Sequence, residues 1–124
     1  MPQKKKILLV DDDPAVTGYM KLKLAKDYDV VAVNDPELVM AFARKERPDL
    51  VICDIDMPEM DGGEVCRALS DDKETKDIPF LFLTSIVSAK EAEELGGHFG
   101  AQLGVSKHAP IEEILKTIRK LVGA

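Results

Sequence analysis

Short apolar runs alternate with longer amphipathic stretches along the whole chain. Five runs have the length and the β-branched or aromatic content of buried strands: "ILLV" (7–10), "YDVVAV" (28–33), "LVIC" (50–53), "FLFL" (80–83) and "LGV" (103–105). The stretches between them read as helices. Over 14–26, Val16, Met20 and Leu24 recur at four-residue spacing. The triplet "NDP" ends the second strand and opens a helix over 36–45. A Pro- and Gly-containing loop over 54–62 leads to a helix over 63–70, then to the polar connection "DDKETKD". A helical pattern over 89–95 meets Gly96, Gly97 and Gly100. The last helix, 111–122, puts Ile111, Ile114, Leu115, Ile118, Leu121 and Val122 on one stripe.

Continuous apolar strands alternating with amphipathic helices imply a parallel sheet covered on both faces, with right-handed crossovers. The predicted fold is therefore α/β, a doubly wound five-stranded parallel sheet, in a single domain over 1–124. Ligands of such folds bind outside the carboxyl ends of the strands, so the residues that end the strands matter most.

Composition narrows the class. In these 124 residues, 45% hydrophobic and 32% charged side chains are globular proportions, and the net charge of −6 argues against a nucleic-acid-binding surface. Cys53 and Cys66 have no CxxC spacing and read as two buried free thiols. No apolar run approaches the roughly 18 residues of a membrane span. "KKKILLV" starts like a signal peptide, but three acids follow its four apolar residues. A cytoplasmic protein is expected.

Strand one ends in Asp11, Asp12 and Asp13, strand three in Asp54, strand four in Thr84 and Ser85, and strand five in Lys107. In a parallel sheet these groups converge on one rim. Two carboxylates about 5 Å apart repel by roughly 3 kcal/mol at an effective dielectric near 20, and a hard divalent cation relieves that repulsion. A carboxylate can itself attack phosphorus to form an aspartyl phosphate, with a metal, a lysine and a hydroxyl supplying position and charge. The inventory suits a Mg²⁺-assisted phosphoryl acceptor with Asp54 as nucleophile. Asp13 has a structural reading, as N-cap of a helix whose first residue is Pro14. His98 and His108 lack ligand spacing and read as surface or loop residues.

The stretches "LLVDDDP", "DLVICDIDMPEMDG", "IPFLFLTS" and "GAQLGVSK" resemble the receiver domain of two-component response regulators over nearly the whole chain. The resemblance implies a flavodoxin-like (β/α)5 fold with Asp54 as phosphoacceptor. It implies that Asp11 and Asp12 hold Mg²⁺, Asp12 directly and Asp11 largely through water, and that the backbone carbonyl of Asp56 also binds the metal. Thr84 would meet the phosphoryl group and Lys107 would pair with it. The implied donor is a histidine kinase's phosphohistidine or a phosphotransfer protein. The implied target is a downstream effector, with no direct contact to nucleic acid or membrane. Homodimers through the fourth helix, fifth strand and last helix are common in the family. Such a domain promotes its own phosphorylation and dephosphorylation and is not a turnover enzyme.

Three departures from the family pattern stand out. His108 replaces the usual proline after the lysine, so a trans bond is expected there. Gly104 replaces the usual aromatic three before the lysine, which removes a Thr-to-aromatic relay. Gly96, Gly97, Gly100 and Gly104 should leave the output face malleable. Two other readings fit parts of the pattern. One is a receiver-like binding module with a decayed switch. The other is a haloacid-dehalogenase-type phosphatase using Asp54 and Asp56, against which stand Pro58 and the absence of room for a cap.

Overall fold

The computed structural model describes residues 4–55, 57, 62–84, 98–99, 102–107 and 109–123. Its elements run β1 (Lys6–Val10), α1 (Pro14–Leu24), β2 (Asp29–Val33), a 3₁₀ turn (Pro36–Leu38), α2 (Val39–Glu46) and β3 (Leu50–Asp54). They continue with α3 (Gly62–Asp71), β4 (Phe80–Thr84), β5 (His98–Phe99), β6 (Gln102–Ser106) and α4 (Ile111–Val122). Sheet order is β2-β1-β3-β4-β6-β5. The first five strands of that order are mutually parallel, and β5 pairs antiparallel to β6. The direction of strand addition reverses between β1 and β3, which is the switch point where ligands bind in sheets of this order.

Strand alternation sorts the core into two layers. Ile7, Leu9, Val30, Leu50, Ile52, Leu81, Leu83 and Val105 pack with Met20 and Leu24 of α1 and Ile114 and Ile118 of α4. Their neighbours Leu8, Val10, Val33, Val51, Cys53, Phe80 and Phe82 pack with Val39 and Ala43 of α2 and Val65 and Leu69 of α3. A strand buried on both faces has no polar positions to alternate, which is why each appears in the sequence as an unbroken apolar run.

Several boundaries differ from the sequence expectation. The first helix stops at Leu24, because the Leu24 carbonyl accepts from both Asp27 and Tyr28 and turns the chain into β2. The 36–45 stretch divides in two. Asp35 accepts from the Glu37 amide at 3.0 Å and its carbonyl accepts from Leu38, winding a 3₁₀ turn before α2 begins. Asp54 belongs to the ladder rather than to the loop, paired with Leu83. The two-residue β5 has no counterpart in the sequence pattern. Only two residues separate it from β6, a hairpin spacing, and the glycines around it obscure any strand pattern. The 89–95 helix, Ser85, Gly96, Gly97, Gly100 and most of the 54–62 loop lie outside the described residues.

The start of α1 follows the expected design: Pro14 is its first residue and the Asp13 carboxylate accepts from the Ala15 amide at 2.9 Å. Asp13→Ala is expected to lower the unfolding free energy by about 1 kcal/mol in urea denaturation, with the slope unchanged.

Candidate functional site

Strand register brings the site residues together. Val10 pairs with Cys53, so Asp11 and Asp54 follow side by side where β1 and β3 end. Asp54 pairs with Leu83, one residue before Thr84, and Thr84 pairs with Ser106, one before Lys107. Asp11, Asp54 and Lys107 continue the alternation of Leu9, Ile52 and Val105, the residues that face α1 and α4. Three strands distant in sequence therefore deliver charged residues to one rim, and a fourth brings Thr84 to it.

The geometry is that of a lysine bridging two buried acids. Lys107 Nζ lies 2.8 Å from Asp11 Oδ2 and 3.1 Å from Asp54 Oδ2. Asp11 is 0% exposed and Asp54 2%, while Asp12 is exposed. Asp11 Oδ1 accepts from the Asp13 amide at 3.0 Å. Asp11 Oδ2 is buried with no hydrogen-bond donor aligned on it among the described residues, although the ammonium is close. Burial pushes the Lys107 amine down, but Asp11 and Asp54 outweigh it and hold its pKa above the ordinary lysine value.

One oxygen from each of Asp11, Asp12 and Asp54 lies within 4.8 Å of the others. An all-oxygen donor set of three carboxylates, two of them buried, fits a hard divalent cation. Asp11, Asp12 and Asp54 thus lie together, with Lys107 within 3.1 Å of two of them. Thr84 ends β4 at the same rim. Its side chain, all of Asp56 and all of His108 lie outside the described residues. Gly104 occupies β6 beside Phe82, and His98 is a strand residue rather than part of a loop.

Two contributors escape a reading of the sequence alone. Gly62, the first residue of α3, sits against the backbone at the end of β3. A Cβ there would lie 2.6 Å from the Asp54 carbonyl oxygen, 3.0 Å from Ile55 Cα and 3.1 Å from Phe82 Cε1. Its amide donates to the Ile55 carbonyl at 2.9 Å. The glycine lies within the motif "PEMDGG", but its purpose is tertiary. The second is Asn34, whose amide nitrogen donates to the Asp11 carbonyl at 2.9 Å from the end of β2. Only its place in "NDP" hinted at any role.

Comparison with known proteins points one way. The profile of the response regulator receiver domain matches residues 7–119. The chain is 35% identical over 118 residues to the DNA-binding dual master transcriptional regulator RpaA of Synechocystis sp., covering 94% of this chain and 48% of that protein. It is 36% identical over 105 residues to the alkaline phosphatase synthesis transcriptional regulatory protein PhoP of Bacillus subtilis, covering 84% and 41%. The chain thus spans about half the length of the curated relatives it matches. Among solved structures, chemotaxis protein CheY4 of Vibrio cholerae superposes with a TM-score of 0.80 at 30% identity, covering 95% of this chain and 98% of that one. The BeF3-activated N-terminal receiver domain of Klebsiella pneumoniae RstA gives 0.80 at 31% identity, covering 97% and 100%.

Two outcomes follow from the packing and charge. Gly62→Ala should cost about 1–3 kcal/mol of stability in urea denaturation, because the new methyl meets backbone that cannot rotate away. Lys107 is raised in the folded state, so the stability it contributes is fully present below the unfolded value of about 10.4 and is lost as pH rises through the folded value. The stability gap between wild type and Lys107→Met should therefore stay constant below that unfolded value for as long as Asp11 and Asp54 remain ionised in both proteins. It should close in the far alkaline range, as read from denaturation curves at a series of pH values.

Proposed function

The chain belongs to the response regulator receiver family, and from that premise we propose that it accepts a phosphoryl group on Asp54 and switches its binding to a downstream effector in response. The donor in this reading is the phosphohistidine of a histidine kinase or a phosphotransfer protein. Domains of this family are signalling modules rather than turnover enzymes. In this reading the chain, a single receiver domain over 1–124 in the cytoplasm, also promotes its own phosphorylation and dephosphorylation. Self-association through the face of β6 and α4 is a further expectation. The observation that carries the reading is the Lys107 ammonium held between the buried Asp11 and Asp54 carboxylates, with Asp12 beside them.

A carboxylate oxygen of Asp54 attacks phosphorus while the bond from phosphorus to the donor nitrogen breaks. The electron pair remains on that nitrogen, which takes up a proton, and Asp54 becomes an acyl phosphate. Charge moves from the Asp54 carboxylate outward to the phosphoryl oxygens. Lys107, at the end of β6, follows it and pairs with a phosphoryl oxygen instead of Asp54 Oδ2. Thr84, ending the neighbouring strand, donates its hydroxyl to another. Mg²⁺, held by Asp11, Asp12, Asp54 and the Asp56 carbonyl, would supply the charge neutralisation that lets an anionic donor approach three carboxylates. Asp11, which contacts Lys107 and the Asp13 amide in the resting site, forms its floor.

Incubation with Mg²⁺ and acetyl phosphate followed by intact-mass measurement tests this. The wild type should gain the mass of one phosphoryl group, and Asp54→Ala none. A wild type that stays unlabelled where other receivers are labelled would defeat the proposal.

A further inference from the structure

The turn carrying Asp11, Asp12 and Asp13 is gripped from outside by a side chain that takes no part in the transfer. The Asp11 amide donates to the Val33 carbonyl at 3.1 Å, extending the β1–β2 ladder by one bond. The next residue of that flank, Asn34, donates from Nδ2 to the Asp11 carbonyl at 2.9 Å and to Thr17 Oγ1 at 2.9 Å. A carbonyl only accepts, so the group facing Asp11 is the amide NH₂, and its two hydrogens serve the two contacts. Thr17 is buried in α1, and its hydroxyl in turn donates to the Pro14 carbonyl at 3.3 Å. The 11–14 turn is therefore tied at its first and last carbonyls, one directly by Asn34 and the other through Thr17. Asp12 stands between the two ties.

Ordinary turn chemistry does not call for this arrangement. The start of α1 is already capped by Asp13, and the local turn after β2 is already closed by Asp35. Both of these hydrogen bonds of the Asn34 amide reach across to another element instead of to its own loop. Their common effect is on the backbone that carries the acidic pair.

We propose that Asn34, acting with Thr17, is a positioning residue for the acidic pair. It holds the 11–14 turn so that Asp12 stays within reach of Asp11 and Asp54 to share a divalent cation. This rests on the reading of those three aspartates as the cation site. Partners that orient metal-binding groups without touching the metal commonly change affinity by about 10-fold or more when removed, and that is the size expected here.

The test is Mg²⁺ titration by calorimetry of metal-stripped full chains, with amide hydrogen exchange on the same samples before metal is added. Asn34→Ala and Thr17→Val should each bind Mg²⁺ about 10-fold more weakly than wild type. Thr17→Ser, which keeps the hydroxyl, should bind as wild type does. Thr75→Val serves as the stability control, since it removes a buried hydroxyl bond to the Leu69 carbonyl remote from the site. It should lower the unfolding midpoint without changing the affinity. Without metal, the Asp13 amide that donates to Asp11 should exchange faster in Asn34→Ala than in wild type. Equal affinity of Asn34→Ala and wild type, or an equal loss in Thr75→Val, would overturn the proposal while leaving the cation site standing. A wild type that binds no Mg²⁺ would overturn the cation reading and the positioning role together. Should Asn34→Ala fail to fold, Thr17→Val against Thr17→Ser decides the matter.

Discussion

Two carboxylates closed off from water at the end of a parallel sheet share one ammonium that lies between them. Asp11 and Asp54 have almost no access to solvent, and Lys107 Nζ is within 3.1 Å of an oxygen on each. A buried ion pair that loses one partner commonly costs several kcal/mol, since the remaining charge is left uncompensated. Here the loss of the lysine would leave two such charges close together. Lys107 is thus a structural requirement of the resting fold as well as a participant in the proposed transfer. The two roles are compatible because the negative charge moves outward during transfer and the lysine has only to follow it.

The sheet explains why the three groups meet at all. In a parallel sheet every strand points its carboxyl end at the same rim, so residues distant in sequence become neighbours without any loop having to carry them. The strands in turn keep their register through two apolar layers. A one-residue slip of β3 would take Asp54 away from Lys107 and exchange Ile52 with Cys53 between the α1/α4 layer and the α2/α3 layer. Core packing and site geometry are therefore one constraint. Gly62 adds a local version of it, since the start of α3 can close on β3 only where no Cβ intervenes.

The sequence made much of this legible, for physical reasons. Strands buried on both faces leave unbroken apolar runs, and the residue that follows such a run in a parallel sheet is a rim residue. Asp11, Asp54 and Lys107 could be placed together on that ground. Asp13 could be separated from Asp11 because a proline at the next position marks a helix start. What the chain did not disclose depends on contacts between elements. Nothing local says that Asp11 is buried and Asp12 exposed, that Asn34 reaches back to the Asp11 carbonyl, or that Gly62 meets the Asp54 carbonyl. The 3₁₀ turn before α2 and the two-residue β5 are missed for a different reason. Both are too short to show any period.

Asp11 and Asp12 are adjacent in the chain but solve opposite problems. Asp11 has given up water, and the protein replaces it with an ammonium on one oxygen and the Asp13 amide on the other. Asp12 keeps its water, so its charge costs little until a phosphoryl donor, itself anionic, approaches. At that point an exposed carboxylate becomes a repulsive one unless a cation is shared among the three acids. A cation held by Asp12 alone would be a surface ion, weakly bound and free to leave. Held by Asp12 together with the buried Asp11 and Asp54, it would be fixed by groups that water does not reach. The buried acids would therefore supply affinity and the exposed one access. That division of labour works only if the turn joining them does not flex.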